Sequence, residues 1–251
     1  MKKLFLSTVA VAATFALTAC VSEDQNLAPN EAGKGYIALN VTNDDALTTR
    51  TVQNAPATWT VALTGQATVN STVGDIGDQP LAEGTYNVNV YNYASLDDAL
   101  EGYGNAYYTG SQTGVAVTAG STTPVSIEMG KAKNAKFTIQ SNVPESAAIT
   151  ITAAVGSSRT LTFTKAANAT AFDYTEAFFG ATDEVTINVT YNNVALATAK
   201  TLTMKGAGTE NKLIISTNGN GKISLTIKYD DEFETGNSET ITFDALTGQE
   251  L

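Results

Sequence analysis

Short runs in which apolar and polar residues alternate constrain this chain more than any other feature. Within 84–93, Tyr86, Val88 and Val90 alternate with Asn87, Asn89 and Tyr91. Side chains of an extended strand point to opposite faces in turn, so a two-residue period makes one apolar and one polar face; a helix needs a period near 3.6. The pattern recurs with Ile37, Leu39 and Val41 in 36–41, and with Trp59, Val61 and Leu63 in 58–64. Gly65-Gln66 then turns the chain into 67–69, while 114–118 and 122–129 flank Ala119-Gly120. A second series covers 135–140, 147–155, 159–164, 184–191, 194–204, 211–217 and 222–229. Its hairpin turns are Gly156-Ser157, Asn192-Asn193 and Asn218-Gly219-Asn220-Gly221. Val88-Asn89-Val90-Tyr91 is echoed by Ile187-Asn188-Val189-Thr190-Tyr191. The expected fold is all-β: two tandem antiparallel β-sandwich domains, 34–130 and 131–229. An acidic tail, 230–251, has room for one extra strand. Ser95-Leu96-Asp97-Asp98 predicts one short capped helical turn between strands.

The N-terminus is of another kind. Lys2 and Lys3 precede an apolar run over 4–17, which ends in Leu17-Thr18-Ala19-Cys20. A charged start, a short apolar stretch and small residues make a signal peptide, 1–19. Leu-x-Ala-Cys resembles the lipobox of bacterial lipoproteins, which implies cleavage before Cys20 and acylation of that residue. Several acyl chains, at about 0.8 kcal/mol per buried methylene, hold a protein stably where one is marginal. Residues 20–33 read as a lipidated tether, polar and without periodicity. Ser22-Glu23-Asp24 resembles the acidic export signal of Bacteroidetes lipoproteins, which implies the outer membrane, facing the cell exterior.

Charge and side-chain inventory narrow the function. The 25 acidic residues outnumber the 14 basic ones, for a net charge of −11, the wrong sign for a nucleic-acid partner. The single cysteine is consumed by lipid, so no disulfide is expected and the apolar cores must supply the stability. There is no histidine, so His- or Cys-dependent triads and zinc sites have no ligands to work with. No catalytic residue, metal or cofactor is expected. Asp230-Asp231-Glu232, with Glu234, lacks the alternating ligands of a calcium loop and reads as a solvated charge run.

Leu81-Ala82-Glu83-Gly84-Thr85-Tyr86, Ala106-Tyr107-Tyr108-Thr109-Gly110, Thr118-Ala119-Gly120-Ser121-Thr122-Thr123-Pro124-Val125 and Asn134-Ala135-Lys136 follow one another in an order that resembles a domain-of-unknown-function family of Bacteroidetes surface lipoproteins. Related proteins include fimbrillins and their anchoring or accessory subunits. The resemblance implies two transthyretin-like (Ig-like) sandwiches and a cell-surface location, and no activity. Ala106 departs from it, where a Pro is expected, as does Met129 near the place of a cysteine.

Candidate site residues remain few. Tyr91 and Tyr93 are expected on the strand face opposite Val88 and Val90, with Tyr103 nearby; such aromatics stack on sugar rings or are covered as a minor core. Arg50 lies in the polar Leu47-Thr48-Thr49-Arg50-Thr51. In fimbrillins an arginine-specific protease cuts at a comparable place, removes the first strand and opens a groove for a neighbour's strand. Thr240-Ile241-Thr242-Phe243 has the alternation of such a donor. The expected function is a non-catalytic surface lipoprotein in adhesion or a fimbrial-type structure. The alternative is a glycan-binding lipoprotein of a polysaccharide uptake system. Expected partners are the outer membrane through the lipid and either other surface or fimbrial subunits or glycans.

Overall fold

The apolar half of most alternating runs is buried or half-buried in the computed structural model, which describes residues 32–44, 52–196, 199–217, 222–230, 238–244 and 247–250. Residues 33–251 form one compact unit with two separate apolar cores.

The first core is built by β1 (Lys34–Asp44), β2 (Val52–Asn54), β3 (Thr60–Gly65), β4 (Val69–Thr72), β5 (Leu81–Ala82), β6 (Gly84–Tyr91), β7 (Thr109–Val117) and β8 (Thr122–Glu128). One sheet runs β4-β3-β6-β7, antiparallel throughout. The other is organised on β1, which pairs in parallel with β8 over Tyr36–Thr42. Its opposite edge meets β5 at Lys34–Gly35 and β2 at Thr42–Asp44, and a 3-10 turn (Ile76–Asp78) lies against it. Ile37 and Val41 from this sheet meet Val61, Leu63, Tyr86, Val88 and Val90 from the other, all buried. The Tyr86 hydroxyl donates to the Ala82 carbonyl oxygen at 2.9 Å, which allows a phenol in the core. The capped turn is present as α1 (Leu96–Ala99), with the Ser95 Oγ accepting from the Asp98 amide at 3.1 Å.

The second core repeats the path. It comprises β9 (Asn134–Asn142), β10 (Ile149–Val155), β11 (Arg159–Lys165), β12 (Glu176–Gly180), β13 (Glu184–Tyr191), β14 (Val194–Ala195), β15 (Lys200–Thr203), β16 (Glu210–Thr217), β17 (Lys222–Asp230) and β18 (Ser238–Asp244). The sheet β11-β10-β13-β15 matches β4-β3-β6-β7, and β12-β9-β16 matches β5-β1-β8, with β9 and β16 again parallel. The echoed segments of β6 and β13 occupy equivalent places. The second half adds β17 and β18 outside β16, so the tail folds back: β18 pairs with β17 from Ser238 to Asp244.

The structure refines the antiparallel expectation in one respect. Each half contains one parallel pair, since its last core strand returns beside its first by a crossover too long for a hairpin. The expected strand over 194–204 is interrupted. Asn192 and Asn193 both have positive φ, 48° and 67°, which turns the chain into the brief β14 before it re-enters the sheet as β15. The strand β12 has no period-two signal because Ala177, Phe178, Phe179 and Gly180 are all buried.

The halves are joined by more than the covalent chain. Asn134, fully buried, accepts the Tyr107 amide at its Oδ1 (3.0 Å) and donates from its Nδ2 to the Asn105 carbonyl oxygen (2.7 Å). The Lys133 amide donates to the Tyr107 carbonyl oxygen at 2.7 Å. Removing a buried partner of two backbone groups costs their desolvation. Asn134→Ala is therefore expected to destabilise the chain by about 2–3 kcal/mol in urea unfolding. Hydrogen-exchange protection should fall at the Tyr107 amide; unchanged protection there would contradict the clip.

Candidate functional site

Where β1 ends, the alternation places a polar residue on an apolar face. Ile37, Leu39 and Val41 point inward, and the next inward position is Asn43, only 7% exposed. Its Oδ1 has no hydrogen-bond partner among the described residues, an uncommon state for a buried carbonyl oxygen. Asn43 lines a recess of about 340 Å³, at the low end for small-molecule sites. The β1–β2 hairpin supplies Asn43, Gln53 and Asn54; the following loop brings Pro56 and Trp59; the segment after β6 brings Asn92, Tyr93, Asn105, Ala106 and Tyr108.

Two contacts hold the aromatic wall. Trp59 stacks on Tyr108, centroids 5.4 Å apart and planes 23° apart. Asn92 clips the loop beneath them, its Oδ1 accepting the Tyr108 amide at 2.8 Å and its Nδ2 donating to the Ala106 carbonyl oxygen at 2.7 Å. Tyr108 is buried, whereas Trp59 and Tyr93 are half-buried. No Asp, Glu, Lys or Arg among the described residues lines the recess.

The predicted site residues are dispersed. Tyr93 lines this recess; Tyr91 is half-buried on β6 and does not. Tyr103 lies elsewhere, packed against the second core. It is edge-on to Phe163 (5.3 Å) and stacked on Tyr174 (3.8 Å), and its hydroxyl donates to the Thr162 carbonyl oxygen. It cannot join Tyr91 and Tyr93 in one platform, because its loop is fastened to the second half. The Phe178 amide donates to the Tyr103 carbonyl oxygen at 2.8 Å. Arg159 donates from Nη1 to the Phe178 carbonyl oxygen and from Nη2 to that of Gly102, both at 2.5 Å, with its guanidinium 5.0 Å from the Phe179 ring centroid. Burial lowers the Arg159 pKa, and Asp183 opposes that shift. A larger recess of about 630 Å³ beside Arg159 is lined by Leu96, Leu100 and Leu161 as well as acidic side chains. Its arginine is committed to main-chain carbonyls, so it fastens the loop. Cys20 and Arg50 lie outside the described residues.

Of the recess residues the sequence pointed only to Tyr93, and Trp59 read only as a core residue; Asn43 was missed, though a polar residue in phase with Ile37, Leu39 and Val41 is the signal that could have found it. Among the described residues there is no cluster of metal-ligating side chains, and no helix is long and apolar enough to cross a membrane.

A family model described as Domain of unknown function (DUF4493) matches residues 33–250, both halves together. No curated protein matches the sequence. The chain is similar to a solved fimbrial assembly protein from Parabacteroides distasonis, at 12% identity over 82% of this chain and 98% of that one, TM-score 0.46. It is also similar to the tip fimbrial protein Mfa3 from Porphyromonas gingivalis (10% identity, 78% and 98% covered, TM-score 0.41). The fimbrial anchor protein Mfa2 from the same organism is similar at 9% identity, 78% and 97% covered, TM-score 0.40.

The Tyr103 clamp has a pH signature. Burial first, then the charges of Asp173 and Tyr174, raise the phenol's pKa, so the folded state holds this proton more tightly than the unfolded chain does. The contribution to stability is complete below the ordinary tyrosine value of about 10 and is lost as pH rises through the folded value. Tyr103→Phe is expected to flatten that part of the alkaline stability profile while keeping the ring contacts. Identical profiles above neutral pH would refute the assignment.

Proposed function

The chain belongs to the family described as Domain of unknown function (DUF4493), and we propose that it is a non-catalytic outer-membrane surface lipoprotein of adhesion or fimbrial type. Acyl chains at Cys20 hold the base, residues 20–33 give reach, and two sandwich domains, 34–130 and 131–229, present their loops. The lipobox at 17–20 supports the anchor, and Ser22-Glu23-Asp24 supports the outward face.

The observation that carries this reading is the placement of β1. The first strand after the tether lies inside its sheet, with Ile37 and Val41 in the core. Its register with β8 runs from Tyr36–Thr122 to Thr42–Glu128. Tension applied along the tether enters at Lys34 and loads that whole ladder in shear, so many backbone hydrogen bonds share the load instead of opening one by one. Such a mount suits a passive module held at one end.

Arg50 falls between β1 and β2, so a cut there leaves β1 held only by noncovalent contacts. Its departure would bare one edge of β8 and open a groove for an incoming strand. The chain's own candidate donor, 240–243, is already paired with β17, which favours an anchored accessory component over a polymerising subunit.

Intact mass and size of the protein released from native cells test both points. A monomeric, acylated chain beginning at Cys20 is expected, and Cys20→Ser should release the protein from the membrane. An unacylated chain would overturn the anchored reading. Detergent-resistant ladders of a chain beginning at Thr51 would make it a polymerising subunit.

A further inference from the structure

We infer that the recess formed by Asn43, Trp59 and Tyr93 is a binding site for a neutral carbohydrate. A sugar ring presents an apolar C–H face edged by hydroxyls that both donate and accept. Its binding sites therefore pair an aromatic surface with groups that can do both in return. The recess has that composition: Trp59 and Tyr93 supply the aromatic surface. Asn43, Asn54 and Asn105 supply amides, each carrying an acceptor oxygen and two N–H donors.

Three further observations point the same way. The Asn43 Oδ1 is buried without a partner among the described residues, and leaving a polar atom in that state costs stability unless something uses it. The stacking of Trp59 on Tyr108 and the bidentate clip from Asn92 hold the aromatic wall in place before anything binds, which lowers the ordering cost of binding. Among the described residues the wall is also uncharged, in a chain of net charge −11. An acidic saccharide would meet the protein's repulsive field with no cation among those residues to offset it, and a cationic ligand would find no carboxylate among them. A neutral, polyhydroxylated ligand fits both facts. The recess is roomy enough for a mono- or disaccharide unit, as at the end of a chain or in an exposed branch.

The site adds a ligand class to the surface-component reading but stands apart from it. Location and assembly are read on native cells and sugar binding on the purified chain, so either can fail alone. Trp59 is the only tryptophan in the sequence, which makes intrinsic fluorescence a reporter of this recess. The full chain, in detergent, is applied to an array of neutral and acidic glycans. It is then titrated with maltotetraose, mannotetraose, chitotetraose, lacto-N-tetraose and the neutral array hits, with sialyllactose and a heparin tetrasaccharide as charged comparators. The expected result is a saturable blue shift or quench of Trp59 with at least one neutral saccharide. Asn43→Ala and Tyr93→Ala, each checked for a native circular dichroism spectrum, should weaken that binding at least tenfold. Asn54→Ala, at an exposed position, should weaken it less. Tyr174→Ala, likewise checked for a native circular dichroism spectrum, removes an exposed aromatic of the second half and should leave binding unchanged. The inference is overturned if no neutral glycan binds on the array or in solution, or if only acidic saccharides bind. It also fails if binding survives both Asn43→Ala and Tyr93→Ala, or is lost in Tyr174→Ala.

Discussion

Each half of this protein is closed by a parallel ladder between its first and last core strands, β1 with β8 and β9 with β16. Two parallel strands cannot be joined by a tight turn. The chain between them must cross over, and here the crossover is the opposite sheet of the sandwich. Once Tyr36–Thr42 lies beside Thr122–Glu128, the β3, β4, β6 and β7 sheet has only one apolar face to pack on. The same logic repeated from Asn134 makes two cores along one chain path. It also makes the fold dependent on contacts distant in sequence, the kind whose loop-closure entropy slows folding.

The asparagines do what the ladders cannot. Turns and loops carry main-chain groups that no strand satisfies, and a buried one must find a partner. Asn92, Asn134 and Asn211 each accept an amide and donate to a carbonyl oxygen, pinning 106–108, 105–107 and 205 with 136 respectively. Asn43 breaks the series. It occupies a comparable buried position, and its oxygen accepts nothing among the described residues. That difference marks the recess more sharply than its shape does.

How much of this was legible depends on which physical property the pattern encodes. Period-two alternation reports that one face is buried, so β6, β13, β16 and β17 could be read from residue order alone. It carries no information on strand direction or register, so the parallel pairs were invisible. It also fails for β12, where Phe179 enters the second core while Phe178 is buried as well, against the loop at Gly104. A strand covered on both faces has no polar phase. Two residues of ladder, as in β5, leave no pattern at all. Tyr93, expected on the strand, falls two residues beyond the end of β6 but still reaches the recess, whereas Tyr103 could not be placed at all. Its partners at Thr162 and Phe163 are some sixty positions away, and only tertiary structure brings them together. Asn43 had a readable signal, a polar residue in phase with Ile37, Leu39 and Val41.

The two halves part company at one edge. The outer edge of β16 is covered by β17 and β18, whereas no strand among the described residues pairs with the equivalent edge of β8. The Tyr36 amide donates to the Ser121 carbonyl oxygen and the Met129 amide to that of Thr42. The odd-numbered residues of β8 therefore face β1, and Thr122, Pro124, Ser126 and Glu128 turn their main-chain groups outward. Pro124 lies where a missing N–H costs the β1 ladder nothing and denies an incoming strand one of its bonds. Glu128 places a charge at the end of the same row. A bare edge is a hazard for any sheet protein, and these are the residues that blunt one. The first half, which carries the recess, thus has an edge that no described strand covers and that does not invite pairing. The second half closes the same edge with β17 and β18, so β18 stabilises a sheet in place and is not held out as a loose strand.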